Sequence, residues 1–291
     1  MKIYDIGSAN IDYVYNVSHI TKPGETLSSS DMQIFPGGKG LNQAVALSKA
    51  GADVVFGAIL GSGGKFLFDL LKESGVDVGK IKLTEKSDGH AIIQVDENGE
   101  NSILLFAGTN ASFTEEYIDK VLIDAKEGDI LLLQNEINCL DYLFKVAKEK
   151  NMLIAFNPSP FSESIYSLPL CDVDYFFCNE IEGEALFESS VPEEICDNFI
   201  KKYPNSNLIL TLGEDGSIFK NKDEYIVQPI FETKVVDTTA AGDTFTGYFL
   251  SEIAKGGSFE TALKRASKAS SIAVSRNGAA ASVPHYSEVE I

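Results

Sequence analysis

The stretch Val235–Phe249, VVDTTAAGDTFTGYF, gathers the residue types that phosphoryl transfer to a hydroxyl needs. Small residues, Thr238 to Gly242, precede a helical pattern with apolar Phe245, Phe249, Leu250 and Ile253. A helix starting near Ala240 leaves its first N–H groups without intrahelical partners, at the positive end of the dipole, where phosphate is favoured. Gly242 lets a ligand approach the backbone closely. Asp243 falls in the first turn and can take a proton beside a bound anion. Val235 and Val236 read as the end of a buried strand that feeds this turn. An ordinary N-cap with an acidic residue on its first turn has the same letters, and both readings stand at this point.

Other polar residues sit where an open α/β sheet binds ligands, at the carboxyl ends of strands. Asn10 and Asp12 are two apart in a strand-like segment, so they share a face; an Asx-turn is the plainer alternative. Pro36 to Gln43, PGGKGLNQ, opens a helix on glycines and places Lys39 and Asn42 one turn apart on one face. It fails the Walker pattern, because Gly40 stands where a magnesium-binding Ser or Thr belongs, and Gly61 to Phe66 fails likewise. Neither fits the dinucleotide fingerprint. Glu136 follows the apolar run Leu131–Leu133 and faces the same crevice as Asn10. Asn179 and Glu182 follow Phe176–Cys178 at i and i+3, a spacing that suits either water-mediated Mg²⁺ binding or a capping box. Thr211 to Gly216 is a glycine-bearing turn after a strand.

Composition removes several classes of function. A net charge of −19 offers no basic face for nucleic acid or an anionic membrane. No apolar run approaches membrane-span length. The four cysteines are scattered without a CxxC pair, which predicts reduced thiols in a cytoplasmic protein. Three histidines, none at ligand spacing, argue against a zinc enzyme.

The elements that would position these residues alternate. Strands are predicted at 2–7, 54–60, 130–133, 153–156, 175–178 and 208–212, and helices at 65–74, 114–125 with Thr114 as N-cap, 138–149, 180–188, 241–255 and 259–275. A hairpin is predicted over 217–227. This is the pattern of an α/β fold with a mostly parallel central sheet and helices on both faces. Segments 12–17, 28–35 and 88–107 break the alternation and are assigned to a small β-sheet lid within one domain spanning 1–291.

Taken together, the stretches resemble the ribokinase-like (PfkB) family of carbohydrate kinases. Gly37-Gly38-Lys39-Gly40 with Asn42-Gln43-Ala44, and Asp237 to Phe245, carry the likeness; Asn157-Pro158, Asn179-Glu180 with Glu182, Thr211-Leu212-Gly213 and Ser282-Val283-Pro284 follow in register. The resemblance implies Asp243 as catalytic base and the amides of Ala240, Ala241 and Gly242 as an anion hole. It implies sugar contacts from Asn10, Asp12, Gly38, Lys39, Asn42, Glu136 and Asp243, and nucleotide contacts from Asn179, Thr211, Gly213, Gly216 and Gly242. Mg²⁺ would be organised through water by Asn179 and Glu182. K⁺ would lie by Asp237, Thr239 and Ser282 with carbonyls of 274–279. ATP is the implied co-substrate and the lid the implied homodimer contact. D-ribose, phosphorylated at O5, is the expected acceptor, with deoxyribose, fructose or a nucleoside as family alternatives and a non-catalytic sugar- or nucleotide-binding protein as the rival class. The chain departs from the family at Gly61 to Phe66, where an Asp and a later Gly are usual, and at Leu41, which is larger than the usual residue.

Overall fold

The computed structural model describes residues 1–291. In chain order the elements are β1 (Ile3–Ile6), β2 (Asn10–Asn16), β3 (Asp31–Gly37), α1 (Lys39–Lys49), β4 (Val54–Gly57), β5 (Ile59–Leu60), α2 (Lys65–Glu73), β6 (Lys82–Leu83), β7 (Gly89–Val95), β8 (Asn101–Phe106) and α3 (Glu115–Val121). There follow β9 (Ile130–Gln134), α4 (Leu140–Glu149), β10 (Leu153–Asn157), β11 (Tyr175–Asn179), α5 (Glu180–Phe187), α6 (Pro192–Lys202), β12 (Asn207–Thr211), β13 (Ser217–Lys220), β14 (Tyr225–Gln228), α7 (Ala241–Ala254) and α8 (Phe259–Ala273).

One eight-stranded sheet runs β14-β13-β12-β11-β10-β9-β1-β4. Its strands from β12 to β4 are parallel, and β13 and β14 add an antiparallel edge. Strands buried on both faces must be apolar throughout, as in Leu131-Leu132-Leu133. Alternate side chains feed two cores. Ile3, Ile130 and Leu132 join α1, α2, α7 and α8 on one face. Tyr4, Ile6, Leu131 and Leu133 join α3, α4, α5 and α6 on the other. By this alternation Asp5 and Gln134 face α1 and α7.

The helix α7 is buried almost all round, between α1 and α8. Gly247 permits that approach: a Cβ there would come within 2.5 Å of Ala46 Cβ. Leu41 is fully buried in this core, so its size is taken up by packing. The lid is a second sheet, β3-β2-β7-β8, continuous with β1 through Gly7-Ser8-Ala9.

Several expectations need correction. Val235 and Val236 are not strand; both are exposed in a loop whose Val236 and Asp237 amides bond Val274 O. The predicted strand 54–60 breaks at Ala58, since β5 leaves the main sheet to pair with β6. Helix α6 was not expected; Pro192 occupies its first turn, where a missing N–H does no harm. Asn10 and Asp12 lie in extended β2 and not in an Asx-turn.

Candidate active site

Asp243 is buried in the first turn of α7, with 6% of its surface exposed. Two adjacent residues of α1 hold its carboxylate: Asn42 Nδ2 donates to Oδ2 (3.1 Å) and Gln43 Nε2 donates to Oδ1 (2.8 Å). Those bonds fix the carboxylate against rotation without neutralising it. Ala240, the N-cap of α7, adopts left-handed φ 57°, and no side chain caps the helix. The Ala241 amide donates to Thr238 O at 3.2 Å. The amides without protein acceptors are therefore those of Ala240, Gly242 and Asp243, a set that exchanges Ala241 of the expected trio for Asp243. Nothing lies within 4 Å of a Cβ built on Gly242, so its backbone faces open space.

Asp243, Ala240 and Gly242 line one cavity of about 230 Å³ together with Lys39, Asn179, Glu182 and Thr211. Lys39 begins α1 behind Gly38, whose φ of 92° suits glycine and whose hypothetical Cβ would sit 3.0 Å from Ala9 Cα and Ser8 O. Burial is the largest influence on the Lys39 ammonium and lowers its pKa. Asp243, Glu136 and Glu182 together outweigh it and hold the group above the usual lysine range. Lys39 thus stands among three carboxylates, positively charged.

Glu182 and Asn179 form the capping box that was the plainer reading of their spacing. Glu182 N donates to Asn179 Oδ1 and Asn179 N to Glu182 Oε2, both at 2.9 Å. The two residues also line the cavity, so capping and ligand contact are compatible. Ser159 Oγ donates to Glu182 Oε1. Burial pushes the Glu182 carboxyl up, against lowering by the Asn179 amide and Lys39.

On the lid side, Asn10 and Asp12 project from one face of β2. Asn10 Oδ1 accepts from Asn110 Nδ2 (2.7 Å), and Asn110 Oδ1 accepts from Ala9 N (3.2 Å). Asp12 is pushed up to about 6 by burial first and by Glu136 second. Glu136 Oε2 accepts from Lys39 N (3.0 Å) and from Ser8 Oγ. This carboxylate therefore ties the start of α1 to the root of the lid.

Asp237 joins two loops: Thr239 N donates to Oδ1 and Gly278 N to Oδ2, both at 2.9 Å. Burial, the largest single influence on it, acts upward; the hydrogen bonds from Thr239 and Gly278 win and hold its carboxyl below the usual range. Ser282 Oγ donates to Ala279 O at 2.8 Å. Thr211 borders the cavity, whereas Gly213 and Gly216 do not. Gly216, at φ 93°, packs on Gln228 and Pro229, which gives it a structural role in the turn.

Sequence reasoning missed several contributors. The departure at Gly61–Phe66 is answered from across the chain: Asp88 Oδ1 accepts from Gly61 N (2.5 Å) and Oδ2 from Gly63 N (2.8 Å). Asp88, just before β7, thus ties this turn to the small sheet. Asn110, Ser8 and Ser159 were also unmarked. Gln43 was visible as the neighbour of Asn42 in the glycine motif, but its partners were not.

Residues 2–286 match the model of the pfkB family carbohydrate kinases. The chain is 33% identical to the ribokinase of Haemophilus influenzae over 97% of its own length and 95% of that protein. It superposes on the crystal structure of Thermotoga maritima ribokinase with a TM-score of 0.88, at 36% identity, covering 99% of this chain and 97% of that one. Arabidopsis thaliana ribokinase, solved in complex with ribose and ATP, gives a TM-score of 0.86 at 28% identity, with 99% and 96% covered.

Proposed function

The chain belongs to the pfkB family of carbohydrate kinases, and from that premise we propose that it transfers the γ-phosphate of ATP to O5 of D-ribose, giving ribose 5-phosphate. The observation that carries this reading is the pairing of a buried, doubly hydrogen-bonded Asp243 with bare amides of the same helix start, in a cavity that also holds Lys39. The relative solved with ribose and ATP supports the choice of both substrates.

Ribose lies between β2 and the start of α1, with Asn10, Asp12 and Glu136 receiving its secondary hydroxyls and O5 directed at Asp243. Asp243 takes the O5 proton as the oxygen attacks the γ-phosphorus. The bond to the β–γ bridging oxygen breaks, and ADP leaves with the electron pair. The amides of Ala240 and Gly242 meet the charge on the equatorial oxygens, an effect worth about 3–4 kcal/mol for one such donor elsewhere. Lys39 adds a positive charge on the same side. The nucleotide follows the carboxyl ends of β11 and β12, by Asn179 and Thr211.

Oxygen-only donors suit hard cations, and both candidate positions meet that test. Asn179 and Glu182 would hold Mg²⁺ through water; the ion, when bound, spreads phosphate charge. Asp237, Thr239 and Ser282 with carbonyls of 274–279 would hold K⁺, which would brace the loop that ends in Ala240. We further assign a homodimer joined through the lid, supported by the apolar side chains that β8 exposes, and a cytoplasmic location, supported by four free cysteines. No helix is long and apolar enough to cross a membrane.

The test is Asp243→Asn. ATP and ribose affinities stay near the parent's while kcat falls by about 10²–10⁴. Near-normal kcat would remove Asp243 from the role, and no turnover of ribose by the parent enzyme would remove the substrate assignment.

A further inference from the structure

Asp5 is a carboxyl group in β1, an interior strand flanked by β9 and β4, and is fully buried, with apolar Ile3, Ile130 and Leu132 on its own face of the sheet. An apolar side chain would serve packing there at no desolvation cost. Its one hydrogen bond comes from Gln134 Nε2, which donates to Asp5 Oδ1 at 3.0 Å. Its other oxygen, Oδ2, has no protein partner. The same Gln134 nitrogen donates to Gln43 Oε1 at 2.8 Å, and Gln43 in turn donates to Asp243 Oδ1 at 2.8 Å. Three side-chain hydrogen bonds thus run without a break from inside the sheet, on β1, to the carboxylate in the cavity.

We infer that Asp5 is a positioning residue for phosphoryl transfer: acting through Gln134 and Gln43, it fixes which end of the Gln43 amide meets Asp243. The reading rests on the assignment of Asp243 as base. A primary amide offers NH₂ on one side and C=O on the other, so each glutamine has two orientations of nearly equal shape. Asp5 presents an acceptor to Gln134 and so holds its NH₂ inward. The second N–H of that group then faces Gln43 and requires its carbonyl, which turns the Gln43 NH₂ onto Asp243. Without an acceptor at position 5, Gln134 loses the partner that selects its orientation. Its reversal would set carbonyl against carbonyl, and the reversal of Gln43 would set a carbonyl against the Asp243 carboxylate.

Burial first, and the charge of Asp243 second, push the Asp5 carboxyl well above the usual range. A neutral carboxyl still accepts through its carbonyl oxygen, as an asparagine would. Asp243 from α7 is the one charge acting on Asp5; Gln134 from β9 and Gln43 from α1 are uncharged. Lys39 faces Asp243 at the far end of the chain of bonds.

The experiment compares Asp5→Val and Asp5→Asn in the full-length enzyme, with Asp243 intact, by steady-state kinetics across pH. Asp5→Val is expected to lower kcat by about tenfold with little change in either KM. Its acid limb moves to higher pH, because a carboxylate that loses an N–H donor binds its proton more tightly. Asp5→Asn, which keeps the acceptor, recovers most of the loss. Unchanged kcat and pH profile in folded Asp5→Val overturns the inference, as does equal impairment of the two variants, which would mark a packing role. Where Asp5→Val does not fold, Gln134→Met breaks the same chain one bond nearer the cavity and carries the same expectation. Failure here leaves Asp243→Asn to judge the base itself, so the two readings fall separately.

Discussion

At the level of single residues, the carboxylate proposed as base was readable because everything that defines it is local. Thr238 to Asp243 fixes a helix start, bare amides and an acid within six positions. Its supports were not readable, because they come from afar: Gln43 lies 200 positions from Asp243, Gln134 lies 91 from Gln43, and Asp5 lies 129 from Gln134. Only pairing of β1 with β9 and packing of α1 on α7 bring them together. Asp12 yields a prediction at this scale. Its carboxyl is raised to about 6 by burial and by Glu136, so it loses charge as pH falls through that value and accepts hydroxyl protons less well. The KM for ribose is expected to rise below about pH 6 while kcat for bound sugar changes less, and Asp12→Asn should flatten this limb. A KM independent of pH from 5 to 8 would contradict it. The linkage sign is also fixed: the folded state holds this proton more tightly than the unfolded chain, so Asp12 lowers stability as pH rises from roughly 4 to 6, and the loss is complete above that.

Among the elements, those with strong periodicity or continuous apolar runs appeared where expected, and the errors have physical causes. Helix α6 buries only Ile195, Cys196 and Phe199 among charged neighbours, too thin a stripe to stand out. Val235 and Val236 have β-branched side chains but no neighbouring strand, and propensity without a partner does not make a sheet. The start of α1 is a tightly constrained junction. Gly38 holds left-handed φ, and a Cβ there would meet Ser8, Ala9 and Asn10 at 3.0 Å. Gly38→Ala is expected to cost about 2 kcal/mol or more, from the left-handed backbone and the overlap together. Since Lys39 N and Glu136 meet there, ribose KM should rise as well. Thermal melting and a ribose titration check both parts, and an alanine variant as stable as the parent would refute the first.

For the molecule as a whole, the βα alternation gave the large sheet, and the segments that broke it gave the small one. What it did not give was how open the small sheet stands. Strand β8 exposes Ile103, Leu104, Leu105 and Phe106, each more than half accessible. So much neighbouring apolar surface marks an interaction site. Sedimentation should find a dimer for the parent and a shift toward monomer of about tenfold or more in Kd for Leu104→Lys with Leu105→Glu; a parent that stays monomeric at high concentration would reject the interface. The other end of this sheet is anchored differently. Three residues separate β2 from β1, and that short passage is cross-linked by Asn110 to Ala9, by Ser8 to Glu136 and by the Leu41 amide to Ser8 O. A flap sewn down along one margin swings widest at its free border and hardly at all along the seam. Were the small sheet to swing, Asn10, on the seam, would move least, and a sugar held there would keep that contact whether the door stood open or shut.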